Sequence, residues 1–428
     1  MNKTDYPRLG EQLLSFTMEN GLTVKIVPRP GFTRKLAYFT TDFGSVHTDF
    51  TLEGKQIHAP AGIAHFLEHK MFELPGRDVS AEFAALGANV NAFTSFDMTA
   101  YFFSCTEHFE ESLALLLEFV STPYFPEESV RRELGIIDQE IGMNADSPDS
   151  RVFEELMKAM YREHPIRVPI LGSCESLRQI TPELLYDCHR AFYTPSNMVL
   201  CVVGDVDANR VLSIAEEVLG CEKKEAGVKM RPWQEEMTCM DTFSKLSMEV
   251  AMPLFQLGYK CEAIETGEKG IRQEIIGDLA AEALFGESSS LYLELYGKGL
   301  TDSSFGGGFE AVDGCALLTC GGDSDDPEKV RDAITAQASV IAREGIAEED
   351  FLRMKRSAMG RRVRDLDSFD STCFRVCAYH LTGFDYFRFP EIYASVTAEE
   401  VRAFVARVVR ADRCALSVVE PLSNRGIL

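Results

Sequence analysis

GIAHFLEHKMFE, residues 62–73, places His65 and His69 four residues apart with Glu68 between them. Apolar residues fill most of the other positions, a density typical of a helix packed into a core. Polar side chains in such a helix need a reason to be there, because burying them without partners costs free energy. Helical residues four apart lie about 40° apart around the axis, so both imidazoles can reach one ion.

Glu68 has a different position on the same predicted helix. It lies about 60° from His65, close enough to meet a water on a shared ion without being its third ligand. A catalytic zinc ion held by two histidines needs one more protein ligand and an open position for water. The stretch therefore predicts a metal site completed by a carboxylate from elsewhere. A histidine of the ordinary core is the alternative, and the fixed spacing of three such residues argues against it.

Composition limits the class of protein. A chain of 428 residues is long enough for two domains of about 200 residues. The net charge of −24 argues against nucleic acid and favours basic or neutral partners, although an acidic surface that only aids solubility is the alternative. We find no basic leader followed by an apolar segment and no apolar run of about 18 residues, which predicts a cytoplasmic protein without membrane contact.

The chain also repeats itself. EESVRRELGIIDQEIG at 127–142 has a counterpart in EEDFLRMKRSAMGRRV at 348–363, and ITPELLYDCHRAF at 180–192 has one in VTAEEVRAFVARV at 396–408. Each of the second pair is soon followed by an apolar segment typical of a strand. Order and spacing persist, so duplication of one α/β unit is the economical explanation.

The predicted fold class is α+β, because strands and helices follow one another without regular βαβ alternation. We expect two homologous α/β sandwich halves, each a sheet with helices on one face, that enclose a cleft. The first half is predicted at 1–222 with the metal site, and the second at 236–428 without one. Charge and Pro232 interrupt the apolar pattern between them and indicate a linker at 223–235.

HxxEH in this order is the inverted zincin signature. The first half resembles the insulinase superfamily, especially the pitrilysin and mitochondrial processing peptidase branch. Glu133 and Glu140, in RRELGIIDQEIG, lie on one helical face about 10 Å apart, so they cannot both bind one ion. The resemblance implies one Zn²⁺ per chain held by His65, His69 and Glu140, with Glu133 orienting the site and Glu68 as the general base on the zinc-bound water.

A second motif carries the same resemblance. NVNAFTSFDMTAYF, residues 89–102, is similar to the NAxT strand of the family. The resemblance implies that Asn91, Ala92, Phe93 and Thr94 line the substrate site and that the substrate adds to the sheet as an extra strand. From the residues alone, an ordinary buried strand is the alternative.

The second half departs from the first. The repeat places Arg361 where Glu140 stands, and aligning Phe285 with Phe72 puts Asp278 and Glu282 at the two histidine positions. Active relatives usually carry an Arg and a Tyr in a segment like LRExxGLxY, which help to hold the substrate. Here the segment is LYGKGLTDSSF, with Tyr296 in the Arg position and no Tyr after Leu300.

The resemblance implies a zinc-dependent endopeptidase that cleaves peptides or unfolded segments in an enclosed chamber. Its expected partners are peptides, among which the acidic net charge somewhat favours basic ones, and either a second copy of the chain or an inactive homologous subunit. A non-catalytic or partner-dependent subunit of a processing-peptidase-like heterodimer is the alternative function. A zinc-binding regulatory protein is a third, for which Cys373, Cys377 and His380 share a helical face. They lack a CxxC partner, so the sequence favours a packed core helix at this segment.

Overall fold

The computed structural model of the protein describes residues 2–223 and 227–422. Residues 224–226, within the predicted linker at 223–235, lie outside the described residues.

The strands, in chain order, are β1 (Asn2–Tyr6), β2 (Glu11–Thr17), β3 (Thr23–Pro28), β4 (Lys35–Thr41), β5 (Asp49–Leu52), β6 (Lys55–His58), β7 (Glu73–Leu74), β8 (Arg77–Asp78), β9 (Asn89–Thr94), β10 (Thr99–Cys105), β11 (Met198–Gly204), β12 (Lys229–Met230), β13 (Phe243–Met248), β14 (Leu254–Cys261), β15 (Gly306–Val312), β16 (Cys315–Asp323) and β17 (Cys414–Pro421).

The α-helices are α1 (Ile63–Met71), α2 (Val79–Ala85), α3 (Phe109–Ser121), α4 (Glu127–Ala145), α5 (Pro148–Met160), α6 (Cys174–Leu177), α7 (Pro182–Phe192), α8 (Ala208–Leu219), α9 (Gly267–Phe285), α10 (Ser290–Gly297), α11 (Pro327–Glu344), α12 (Glu348–Asp365), α13 (Phe369–Leu381), α14 (Phe389–Ser395) and α15 (Ala398–Val408). None of the helices among the described residues is both long and apolar enough to span a bilayer.

Two compact units share the chain. The first comprises 1–141, 169–231 and 362–388, and the second comprises 142–168, 232–361 and 389–428, within the described parts of the chain. The predicted halves at 1–222 and 236–428 were drawn from the repeat in the sequence, and their bounds stay a prediction. The compact units have other bounds because α5 belongs to the second unit and its repeat counterpart α13 belongs to the first.

The first unit is built on a seven-stranded sheet in the order β1-β2-β3-β11-β4-β10-β9. Strand β11 is parallel to β3 and antiparallel to β4. All seven residues of β11 are buried, as expected of a central strand whose apolar side chains are covered on both faces. Strand β9 ends this sheet among the described strands.

The second unit repeats this arrangement with five strands in the order β13-β17-β14-β16-β15. Strand β17 is parallel to β13 and antiparallel to β14, as β11 is to β3 and β4. Strand order and direction thus agree in the two units. The predicted fold class, α+β with two related sheet-and-helix halves, is confirmed, while the cleft between them stays a prediction.

The sequence predicted helices on one face of each sheet. Each sheet also has a helix, α13 or α5, that this prediction did not include. Helix α13 packs on β11 and β4, where Cys373 and Cys377 are fully buried, so this segment is a core helix. Helix α5 packs on β13, β14 and β17. Gly258 of β14 permits this approach, because a Cβ there would lie 2.4 Å from the sulfur of Met160. The prediction of a packed core helix around Cys373 and Cys377 agrees with these positions.

Helix α1 begins at a constrained glycine. Gly62 has a φ of 91°, in the left-handed region, and a Cβ there would lie 2.5 Å from the carbonyl oxygen of Leu171. The helix then buries Ile63, Phe66 and Leu67 in the core of the first unit. The orientation of α1, and with it that of the HxxEH residues, is therefore set by packing along most of its surface.

Candidate metal centre

His65, His69 and Glu140 converge in the first unit, on helices α1 and α4. Nε2 of His65 lies 3.7 Å from Oε1 of Glu140, and Nε2 of His69 lies 3.7 Å from Oε2 of Glu140. One ligand atom from each residue lies within 4.8 Å of the others. Tetrahedral ligands about 2.0–2.2 Å from a zinc ion would be about 3.4 Å apart. The donor set and its spacing therefore fit zinc.

His65 is prepared to act as a neutral ligand. Burial, and then the charge of His69, lower the pKa of His65 to about 3. Its Nδ1 is buried and has no hydrogen-bond partner among the described residues, while its Nε2 faces Glu140. The neutral imidazole is the form of histidine that binds a metal, through its unprotonated nitrogen.

Glu133 supports the second histidine. Its Oε1 lies 3.0 Å from Nδ1 of His69, which leaves Nε2 of His69 directed at Glu140. Burial lowers the pKa of His69, but the bond to Glu133 and the charges of Glu133, Glu68 and Glu140 outweigh it, so the pKa is raised. A carboxylate on the outer nitrogen fixes the tautomer and the orientation of a ligating histidine.

A buried lysine ties α1 to α4, and sequence reasoning did not single it out. Nζ of Lys70 is fully buried; it donates to Oε2 of Glu73 at 2.5 Å and also to Oγ of Ser129. Ser129 lies one helical turn before Glu133 on α4. The sequence pattern that could have predicted this contact is a lysine within an apolar helix, followed three residues later by a glutamate. That spacing permits the two side chains to pair.

Glu68 lies beside the metal residues but is not a member of the group whose ligand atoms converge. Its side chain is buried, and Oε2 accepts a hydrogen bond of 2.6 Å from the hydroxyl of Thr94. Burial raises the pKa of Glu68, while the bond from Thr94 and the charge of His69 oppose that effect. The structure thus brings His65, His69 and Glu140 together with Glu68 beside them. The spacing of the motif predicted the two histidines and Glu68, whereas Glu140 was implied by the resemblance to a family.

The four residues predicted to bind substrate lie on β9 and do not share one face. Thr94 reaches Glu68 on α1, whereas the ring of Phe93 packs 5.9 Å from Phe374 of α13. Successive residues of a strand point to opposite faces, so Ala92 lies on the side of Thr94 and Asn91 on the side of Phe93. Oδ1 of Asn91 accepts the N–H of Ala92 at 2.9 Å.

The repeat-related position in the second unit holds an ion pair. Nη2 of Arg361, on α12, lies 2.5 Å from Oε2 of Glu282, on α9. These are the residues that the repeat aligns with Glu140 and His69. Tyr296 on α10 is half exposed and its ring stacks on Tyr292. Within the described residues, the second unit contains no group of three or more His, Cys, Asp or Glu placed to hold a metal.

Comparison with known families adds two matches along the chain. Residues 57–173 match the family described as Insulinase (Peptidase family M16), and residues 179–358 match the one described as Peptidase M16 inactive domain. The first match contains the whole candidate metal centre. The second match covers most of the second repeat and ends at residue 358, before Arg361.

Individual relatives agree over the whole length. The chain is 36% identical over 426 residues to the uncharacterized zinc protease YmfH of Bacillus subtilis, covering 98% of this chain and 99% of the relative. The crystal structure of an M16-like peptidase from Alicyclobacillus acidocaldarius superposes with a TM-score of 0.92 at 35% identity, over 96% of this chain and 99% of that chain. A protease from Helicobacter pylori shares the fold, with a TM-score of 0.82 at 20% identity over 96% and 100% of the two chains.

Proposed function

Because the chain belongs to peptidase family M16, the insulinase family, we propose that it is a zinc-dependent endopeptidase that cleaves peptides or unfolded segments. The observation that carries the proposal is the convergence of His65, His69 and Glu140, with Glu68 buried alongside. A zinc ion held there would activate water for attack and polarise the carbonyl of the scissile bond.

The residues of the chain itself have separate tasks in this reaction. Glu68 takes a proton from the attacking water and passes it to the leaving amine, which requires a carboxylate that is free of the metal. Glu133 holds the ring of His69 through Nδ1. The main chain of β9 is not paired with a further described strand on its outer side, so a peptide can add there with Asn91, Ala92, Phe93 and Thr94 alongside.

Main-chain pairing carries little side-chain specificity, so varied peptide sequences would be accepted. The net charge of −24 favours basic peptides among them. The cytoplasmic location, the enclosed chamber and the assembly, as a homodimer or with an inactive homologous subunit, remain predictions within this proposal.

A non-catalytic or partner-dependent subunit is the second candidate, and one observation favours it. The segment LYGKGLTDSSF lacks the Arg and the Tyr of active relatives. Tyr296 occupies the position of the Arg, and its ring stacks on that of Tyr292. In this case the zinc site would be filled but would need a residue from another chain for turnover.

The test is hydrolysis of a mixed pool of unfolded peptides by the purified chain and by its Glu68→Gln variant, with bound metal measured in both. We expect cleavage by the unmodified chain, a loss of at least about 1,000-fold in the variant, and one zinc in each. Zinc without cleavage in the unmodified chain would favour the partner-dependent subunit. Absence of zinc from the unmodified chain would overturn the peptidase and the zinc-filled, partner-dependent subunit, and would favour a non-catalytic subunit.

A further inference from the structure

The hydroxyl of Thr94 has one proton, and its close acceptor is the candidate base. Oγ1 of Thr94 lies 2.6 Å from Oε2 of Glu68, a short contact of the kind made to a charged carboxylate. The neighbouring hydroxyl, that of Thr99, lies 3.4 Å away and donates at 2.8 Å to the carbonyl oxygen of Phe43. The strong bond made by Thr94 is therefore the one to Glu68.

The position of this hydroxyl is fixed by the strand that carries it. Thr94 is the last residue of β9 and is paired with Thr99 across the hairpin. The turn that follows is held by main-chain bonds from Ser95 to Met98 at 2.8 Å and from Val46 to Phe96 at 2.9 Å. A β-branched side chain also has few χ1 rotamers. Both the backbone and the side chain of Thr94 are thus confined.

We infer that Thr94 is a positioning residue for catalysis: its hydroxyl holds Oε2 of Glu68 and leaves Oε1 as the oxygen that accepts the proton from water. This inference rests on the proposed peptidase function. A carboxylate on a flexible side chain has several rotamers, and a base that must be within hydrogen-bond reach of its proton gains from being held in one of them.

The inference also assigns two tasks to one short strand. The side chain of Thr94 contacts the base, while the main chain of β9 lies at the edge of the sheet where a peptide can add. A peptide that pairs with β9 is therefore placed in register with the residue that orients Glu68. Such a link fixes the distance between the scissile bond and the base through one rigid element.

The test compares Thr94→Val, Thr94→Ser and Thr41→Val by steady-state peptide cleavage and by zinc content. Thr94→Val replaces the hydroxyl with a methyl group of similar size, and Thr94→Ser keeps the hydroxyl. Thr41→Val is the matched control, because it removes a buried hydroxyl of the same sheet that donates to the carbonyl of Phe192 at 2.7 Å and does not contact Glu68.

We expect kcat of Thr94→Val to fall by about 10- to 100-fold, with KM and zinc content unchanged. Thr94→Ser should recover most of the loss, and Thr41→Val should keep kcat within about twofold. Unchanged kcat in Thr94→Val, an equal loss in Thr94→Ser, or a loss of zinc that accounts for the lost activity would overturn the inference.

A crystal structure of metal-free Thr94→Val gives a second readout that does not need activity. We expect the carboxylate of Glu68 to leave the position it has beside residue 94, whereas an unchanged Glu68 would contradict the inference. If the unmodified chain neither binds zinc nor cleaves peptides, the proposed function fails, and this structural comparison still decides whether Thr94 holds Glu68.

Discussion

Helices α1 and α4 of the first unit and helices α9 and α12 of the second are related by the internal repeat, yet their facing side chains differ in kind. In the first unit two imidazole nitrogens face one carboxylate at 3.7 Å, too far for hydrogen bonds to one another. In the second unit a guanidinium and a carboxylate meet at 2.5 Å. The first set has the donor atoms and the spacing that could hold a cation, whereas the second contains the cationic side chain of Arg361.

A second polar cluster of the second unit sharpens this contrast. Glu235 accepts the main-chain N–H groups of Arg162, Glu163 and His164 at 2.8 to 3.0 Å, and the buried ammonium of Lys260 at 2.8 Å. Its carboxylate is therefore satisfied within the protein. The comparison teaches that metal-ligating side chains that face one another without hydrogen bonds between them indicate a ligand site, whereas a carboxylate whose hydrogen bonds are all made within the protein indicates a structural role.

The largest effect on stability should come from Glu235→Gln. Removing this charge leaves Lys260, which is 1% exposed, without its counter-ion, so we expect a loss of about 3 kcal/mol in the free energy of unfolding at pH 7. Denaturant unfolding gives the value. Glu236→Gln, which removes the same charge from the next, exposed residue, is the control and should change little.

The pH dependence of this loss has a definite sign. Partial burial raises the pKa of Glu235, but its N–H donors and Lys260 outweigh that effect and hold the pKa at about 2. The unfolded chain has an ordinary value of about 4.3. The stabilisation is therefore complete above about pH 4.3 and is lost as the pH falls towards 2. A difference between the variant and the unmodified chain that grows on acidification would refute this assignment.

A smaller effect, on zinc affinity, is expected from Glu133, which contacts the predicted metal ligand His69. Glu133→Gln removes the negative charge on Nδ1 of His69 and should weaken zinc binding by roughly 10- to 100-fold. Competition with a chelator of known affinity measures it. Glu127→Gln, on the same helix and 79% exposed beside Arg131, should leave zinc affinity unchanged. Equal affinities for Glu133→Gln and the control would mean that Glu133 does not orient the site.

The smallest effect should come from the ion pair of the second unit. Arg361 is 47% exposed, so its pairing with Glu282 should contribute no more than about 1 kcal/mol to stability. A double-mutant cycle with Arg361→Ala and Glu282→Ala isolates the coupling. Zinc content should not change in either variant. A coupling of several kcal/mol would show that this pair is a structural centre rather than a remnant of the repeat.

Much of this organisation could be predicted from the sequence, for physical reasons that differ between elements. His65 and His69 share a helical turn, so their common direction follows from local geometry alone. The choice between Glu133 and Glu140 required the resemblance to a family, because both lie on one face of α4. The structure directs Glu140 at both histidines and Glu133 at the outer nitrogen of His69.

Other features could not be predicted because they depend on tertiary packing. The bond from Thr94 to Glu68 depends on how β9 lies against α1, and strand periodicity does not determine that register. Likewise, nothing local in α5 or α13 indicates which sheet each helix covers. Their apolar faces predict burial but not a partner, so the compact units differ in their bounds from the repeats in the sequence.

The most direct test of the contrast between the two regions is the zinc content of the purified chain, of Glu140→Arg and of Arg361→Glu. Glu140→Arg introduces in the first unit the residue that the second unit has at the repeat-related position. We predict one zinc per chain in the unmodified protein and in Arg361→Glu, and none in Glu140→Arg. Zinc retained by Glu140→Arg, or absent from the unmodified protein, would contradict the assignment of His65, His69 and Glu140 as its ligands.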